Sequence, residues 1–165
     1  MPRPSSSPPE RLRVGLLSDT HGLLRPEALA FLRGCDHIVH AGDICDPAIL
    51  DRLRALAPVT AVRGNCDRGA WAWRLPETAT VQVGGVRLHV LHDLGRLDLE
   101  PGHGIRVVVS GHSHKPGVLE RGGVLYVNPG SCGPRRFRLP VAVGELWVDG
   151  GEVAARTGEL RVPSP

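Results

Sequence analysis

Short apolar runs, each closed by a polar loop that contains glycine, set the rhythm of this chain. Residues 13–17 read as a strand that stops at Ser18-Asp19-Thr20-His21-Gly22. Residues 26–33 read as a short helix with Pro26 in its first turn, where a missing N–H costs nothing. A second strand, 37–40, ends at Ala41-Gly42-Asp43, and a second helix, 47–56, follows with Asp46 as its N-cap. A third strand, 59–62, ends at Arg63-Gly64-Asn65-Cys66-Asp67. This β-α-β-α-β order calls for parallel strands joined by right-handed crossovers.

The second half has a different pattern. Residues 78–83 and 86–91 flank Gly84-Gly85, a two-residue hairpin signal. Further strands are expected at 106–109, 117–121, 124–127 and 141–148, with little helix between them. The economical architecture is α/β (α+β): two packed sheets with helices outside. The segment 94–104 carries no clear pattern.

Composition narrows the class. The 165 residues, 41% hydrophobic and 22% charged, suit one domain with one core. We expect a Pro/Ser-rich disordered leader at 1–10, a single domain at 11–158 and a flexible tail at 159–165. No apolar run approaches the ~20 residues of a membrane helix, and no secretory segment is read at the start. A net charge of +3 is too weak to argue for nucleic acid. Only Pro134–Arg138 (PRRFR) is locally basic, and it reads as a solvated loop. Cys35, Cys45, Cys66 and Cys132 have no C-x-x-C spacing, so a reducing, cytoplasmic compartment is expected, with Cys35 as a core thiol.

The chemistry lies where the strands end. Ligands of open sheets bind outside the carboxyl ends of their parallel strands. Here those ends deliver Asp19 and His21, then Asp43, Asn65, His92, and finally His112 and His114. Asp19-x-His21 and His112-x-His114 can each aim two alternate side chains at one ion, and Gly111 permits close backbone approach. The carboxylate of Asp43 can bridge two cations. Imidazole, carboxylate and amide donors without thiolates favour manganese, iron or zinc over a structural zinc site.

In this order, Asp-x-His, Gly-Asp, Gly-Asn-x-Asp, His and Gly-His-x-His resemble the calcineurin-like metallophosphoesterase superfamily. The resemblance runs from about Arg13 to Val148. The stretches 18–22, 40–43, 64–67, 111–116 and Asn128-Pro129-Gly130-Ser131 look closest to its small, single-domain bacterial and archaeal phosphodiesterases. It implies a four-layer fold, a two-sheet β-sandwich flanked by helices. It also implies a hydrolase of small phosphodiesters, cyclic nucleotides among the candidates, with a metal-bridging hydroxide as nucleophile. Two divalent ions per chain are implied, manganese first, with iron, nickel or zinc as alternatives. Asp19, His21 and His114 would hold one ion, Asp43 would bridge, and Asn65, His92 and His112 would hold the other. Asp43, Asn65 and His112 would be the catalytic set.

Two positions depart from the common pattern. Cys66 stands where many members carry a histidine that helps the leaving group, and a thiol is the weaker partner. Asp93 stands where relatives show glycine, either orienting His92 or lying exposed as a loop acid. Asp67, Asn128 and Ser131 are further candidates for orienting ligands or lining the site, against ordinary turn chemistry. His40 reads as a supporting donor or a buried strand histidine. His37, His89 and His103 read as structural or solvent-facing. Trp71 and Trp73 would wall a substrate pocket or pack in the core.

The expected partner is a small phosphoester, not nucleic acid or a membrane. The strand-rich second half offers an edge for a homodimer or higher homo-oligomer. The competing class is a non-catalytic protein-binding scaffold, since the same fold resembles the small retromer-type sorting subunit.

Overall fold

Val14, Leu16 and Leu17 are fully buried, because the first strand lies in the middle of a sheet covered on both faces. The computed structural model describes residues 11–98 and 104–163. In chain order these form β1 (Arg11–Leu17), α1 (Pro26–Leu32), β2 (His37–His40), α2 (Pro47–Arg54), β3 (Val59–Ala61), α3 (Ala70–Trp73), β4 (Thr78–Val83), β5 (Val86–Leu91), a 3-10 turn (Leu94–Arg96), β6 (Ile105–Val109), β7 (Gly117–Arg121), β8 (Val124–Asn128), β9 (Ala142–Asp149) and β10 (Glu152–Glu159). The expected leader, 1–10, lies outside the described residues.

The strands make two five-stranded sheets, ordered β10-β9-β1-β2-β3 and β4-β5-β6-β8-β7. Strands β1, β2 and β3 are parallel, as are β5, β6 and β8. Antiparallel strands complete both sheets. This is the expected two-sheet α/β sandwich, and its central core holds Leu16, Val39, Leu88, Val107 and Leu146 between the sheets.

On the outer face of the first sheet, Ala28 and Leu32 of α1 and Ile49, Leu50 and Leu53 of α2 pack with Leu17 and Ile38. Asp46 caps α2 as expected, accepting from Ala48 N at 2.9 Å. A smaller apolar cluster of Leu91, Ile105, Val108 and Val124 packs with Leu97 and Tyr126 in the second sheet. Among the described residues, the chain beyond β5 that precedes β6 contributes only the 3-10 turn as regular structure.

Two elements escape the apolar pattern. β10 (EVAARTGE) is an edge strand, bonded only to β9, so it needs no second apolar face. α3 spans four residues and is too short to show a period. The expected tail also starts too early: Glu159 still belongs to β10, Leu160 N donates to Val141 O at 2.7 Å, and Leu160 and Val162 pack on the helical-side core. Glu145 of β9 is buried between Arg13 and Arg156. Burial would raise its carboxyl, but hydrogen bonds from Arg13, Trp147 and Arg156 bring it below the usual range. No helix of the described residues is long and apolar enough to cross a membrane.

Candidate metal centre

The carboxyl ends of the parallel strands in both sheets converge on one edge of the sandwich, and their loops stitch together there. Asp19 N, His21 N and Gly22 N donate to the carbonyls of Gly42, Asp43 and Ile44, each at 2.9 Å. Gly111 N donates to His92 O at 2.9 Å, joining the loops after β5 and β6.

All seven expected donors arrive in one place. His114 Nε2 lies 3.1 Å and His21 Nε2 3.5 Å from Asp19 Oδ1. His92 Nε2 lies 3.2 Å from Asp43 Oδ2 and 2.9 Å from Asn65 Oδ1. Asn65 Oδ1 is also 3.2 Å from His112 Nδ1. Asp43 lies between the two groups, with Oδ2 3.7 Å from His21 Nε2. Asp19, Asp43, His92 and His114 are buried, while Asn65 and His112 face the mouth.

The backbone is bent to achieve this. Asp19, His21, Asp43, His112 and His114 all have left-handed φ, between 45° and 71°. Such a conformation costs of order 1–3 kcal/mol per residue and persists only where the surroundings impose it. In both Asp19-x-His21 and His112-x-His114 the two outer residues are left-handed and the middle one is not.

Two glycines make room for the carboxylates. A Cβ on Gly111 would meet Ser18 Oγ and come within 2.6 Å of Asp19 Oδ2. One on Gly64 would strike Asp43 at its backbone N and its Oδ1.

The surrounding hydrogen bonds aim the donors. His92 Nδ1 donates to Ala41 O at 2.7 Å, which turns Nε2 toward Asp43 and Asn65. Ser18 Oγ donates to Asp19 Oδ2 at 2.5 Å and His112 N to the same oxygen at 3.1 Å, which leaves Oδ1 to the site. Gly42 N donates to His40 Nδ1, so His40 Nε2 carries the proton and donates to Thr20 Oγ1 at 3.0 Å. Complete burial, then the neighbouring His92, lower the His40 pKa to about 3, so it stays neutral.

Burial by itself would raise Asp43. The His92 hydrogen bond, the Cys66 N–H at 2.8 Å and the nearby histidines outweigh it and bring the carboxyl down to about 2. For His92, burial opposes protonation, but Asp43 and Asp19 outweigh it and the pKa is raised.

Asp67 has a larger part than its spacing suggested. Its carboxylate accepts from four backbone groups: Asp43 N (3.0 Å), Ile44 N (2.9 Å), Cys45 N (2.8 Å) and Gly64 N (2.8 Å). It thereby pins the loop after β2 to the loop after β3. Asn128 Nδ2 donates to Gly111 O and Ser113 Oγ, and Ser131 Oγ donates to Asp19 O at 2.9 Å. These two residues brace the ligand loops.

Two open readings resolve, and the solvated reading of 134–138 holds. Asp93 does not orient His92, whose Nδ1 is taken by Ala41; Asp93 Oδ1 instead accepts from Gly95 N at 3.0 Å and caps the 3-10 turn. Trp71 packs against the helical-side core, and Trp73 lies exposed beneath the Arg63 guanidinium, 4.5 Å from its ring centroid. The 134–138 loop is solvated; burial outweighs the Asp19 charge and pushes the His114 pKa down, with the Arg136 charge adding to the fall. Cys45 was not singled out by its spacing, yet its Sγ lies 3.7 Å from His21 Nδ1.

The donor atoms fit divalent cations. Asp19 Oδ1, His21 Nε2 and His114 Nδ1 are buried with no hydrogen-bond partner, a costly state for polar atoms unless something else binds them. Asp19, His21 and His114 form one group whose ligand atoms lie within 4.8 Å of one another, and Asp19, Asp43 and His92 form another. A third comprises His21, Asp43 and Cys66.

A two-sheet sandwich with imidazoles, carboxylates and an amide gathered at its strand ends defines a protein equipped to bind divalent cations. Residues 12–149 match the model of the calcineurin-like phosphoesterase superfamily domain, and the chain belongs to that superfamily. It is 36% identical over 164 residues to a probable metallophosphoesterase of Methanothermobacter thermautotrophicus, covering 88% of this chain and 92% of the relative. Its fold is similar to that of a phosphoesterase from E. coli (TM-score 0.66, 22% identity, 91% of this chain and 100% of that one). It is also similar to vacuolar protein sorting 29 from Cryptosporidium parvum (TM-score 0.72, 18% identity, 91% and 98%).

Proposed function

We propose that the protein is a phosphodiesterase of small diesters that works with two divalent cations. Asp19, His21 and His114 would hold one, Asn65, His92 and His112 the other, and Asp43 would serve both. The buried, unpartnered Asp19 Oδ1 and His21 Nε2, with His114 Nε2 3.1 Å from that oxygen, carry this reading. Bound there, such a pair supplies Lewis acidity to the phosphoryl oxygens and an attacking water of lowered pKa.

The chain's own residues do the rest. Asp43 stays ionised at any ordinary pH, so its carboxylate is ready to bridge. His112 and Asn65 stand at the mouth, where a phosphoryl group would enter. Arg136 adds positive charge on the same side and suits an anionic substrate. Burial and the Asp43 charge raise the Cys66 thiol, which holds its proton at Sγ near neutral pH. As a weak donor it favours esters whose leaving group departs without a strong acid.

Manganese is the first choice of metal, with iron, nickel or zinc behind it. Four free cysteines suit a reducing cytoplasm. The alternative, a protein-binding scaffold, draws on the likeness to vacuolar protein sorting 29, which at 18% identity speaks to the fold alone. The complete donor set favours the enzyme.

Protein supplied with Mn²⁺ should hydrolyse bis-p-nitrophenyl phosphate, and Asp43→Asn should lower kcat/KM by more than about a hundredfold. Wild-type turnover in Asp43→Asn would sink the reading. Elemental analysis showing no bound metal, together with no turnover after Mn²⁺ addition, would install the scaffold in its place.

A further inference from the structure

A groove of about 390 Å³ opens beside the metal centre and shares Gly111, His112 and Asn128 with it. One wall is apolar, lined by Leu94 of the 3-10 turn, Leu119 of β7 and Tyr126 of β8, while Asp93, Ser113 and Lys115 supply polar groups. Leu119 and Tyr126 are register partners, so they stand on one face of the second sheet. Leu94 is 42% and Leu119 57% exposed, an unusual outlay of apolar surface next to a polar centre.

We propose that this groove receives the ester group of the substrate that is not displaced, and that this group is a planar ring. The inference rests on the phosphodiesterase reading above. Continuity with the centre supports it: a phosphoryl group at His112 would carry one of its ester groups directly against Leu94, Leu119 and Tyr126. Size supports it too, because a dry cavity of about 150 Å³ already accepts benzene, and this groove has room for an aryl ring or a nucleobase. A protein partner is a poorer fit, since stable interfaces need about 800 Å² per side and the few apolar side chains that line the groove fall well short. Lys115 also lines the groove and offers a cation for the charge of the diester.

Three diesters with the same leaving group test this: p-nitrophenyl phosphate esterified with methyl, phenyl or 5′-thymidine. The wild type should prefer phenyl and thymidine over methyl in kcat/KM. Leu119→Ser and Leu94→Ser should each cut that preference, and the double variant should lower it about tenfold. A preference for thymidine alone would identify the ring as a nucleobase, and one for both rings a generic aromatic site.

Titration of phenylphosphonate and methylphosphonate by calorimetry reads the same contact without turnover. The wild type should bind the phenyl compound more tightly and the double variant should not. Equal ring-to-methyl ratios in wild type and variants would overturn the groove and leave the phosphodiesterase standing. Failure to hydrolyse any of the three esters would overturn the phosphodiesterase, and the phosphonate titration would then decide the groove by itself. If Leu119→Ser instead changes the mass in light scattering and leaves the ratios alone, the face is a contact between copies, and the inference falls.

Discussion

His40 shows how one buried side chain can hold a site it never enters. Its Nδ1 accepts from Gly42 N and its Nε2–H reaches Thr20, so it links the Asp19 loop to the Asp43 loop. Only the neutral ring can do both. The unfolded chain takes up a proton at this histidine near pH 6.5, whereas the folded chain resists until about 3. Stability is therefore fully present above about pH 6.5 and drains away as the pH falls toward 3. From this group we expect a loss of about 2 kcal/mol between pH 7 and pH 5. Urea unfolding at the two pH values checks it, and His40→Gln should show the smaller drop.

At the scale of elements, the loops matter more than the strands. The Asp67 carboxylate gathers four N–H groups from two loops, and an amide there can accept at only one atom. Asp67→Asn should weaken Mn²⁺ binding about 10- to 100-fold, measured by calorimetric titration, while the circular dichroism of the sheets stays as in the wild type. Binding of wild-type strength would show that the loops keep their shape without the carboxylate.

Much of this scale was legible in the sequence. Apolar runs at 14–17, 37–40 and 86–91 announce strands, and the donors stand directly behind them. β10 was not legible, because Ala154, Ala155 and Gly158 provide no apolar alternation and an edge position demands none. Asp67 was visible only as a candidate, since its partners are main-chain groups that no side-chain spacing encodes. Asp93 stayed open between two readings, because only the Ala41 carbonyl, distant in the chain, shows that the place beside His92 Nδ1 is taken.

For the molecule as a whole, the centre joins two sheets whose main contact is the apolar core between them. Asp19, His21, Asp43 and Asn65 come from the first sheet, and His92, His112 and His114 from the second. Cations gripped by both sets would tie the sheets together. At a hundred times Kd, binding adds about 2.7 kcal/mol to stability, which for this size raises Tm by about 5–10 °C. Calorimetric scans with Mn²⁺ and then with excess chelator should show that rise and its reversal. Asp19→Asn should shrink it, and identical scans would mean that no ion bridges the sheets.

The space behind the carboxylates also bears on how kindred chains are judged. Gly64 and Gly111 contribute no donor, yet a single methyl group at either would collide with Asp43 or with Asp19 and its serine. A descendant could thus keep every histidine and aspartate and still fall silent by gaining one alanine. An inventory of donors tells only half of whether such a chain works; the other half is written in what has been kept small.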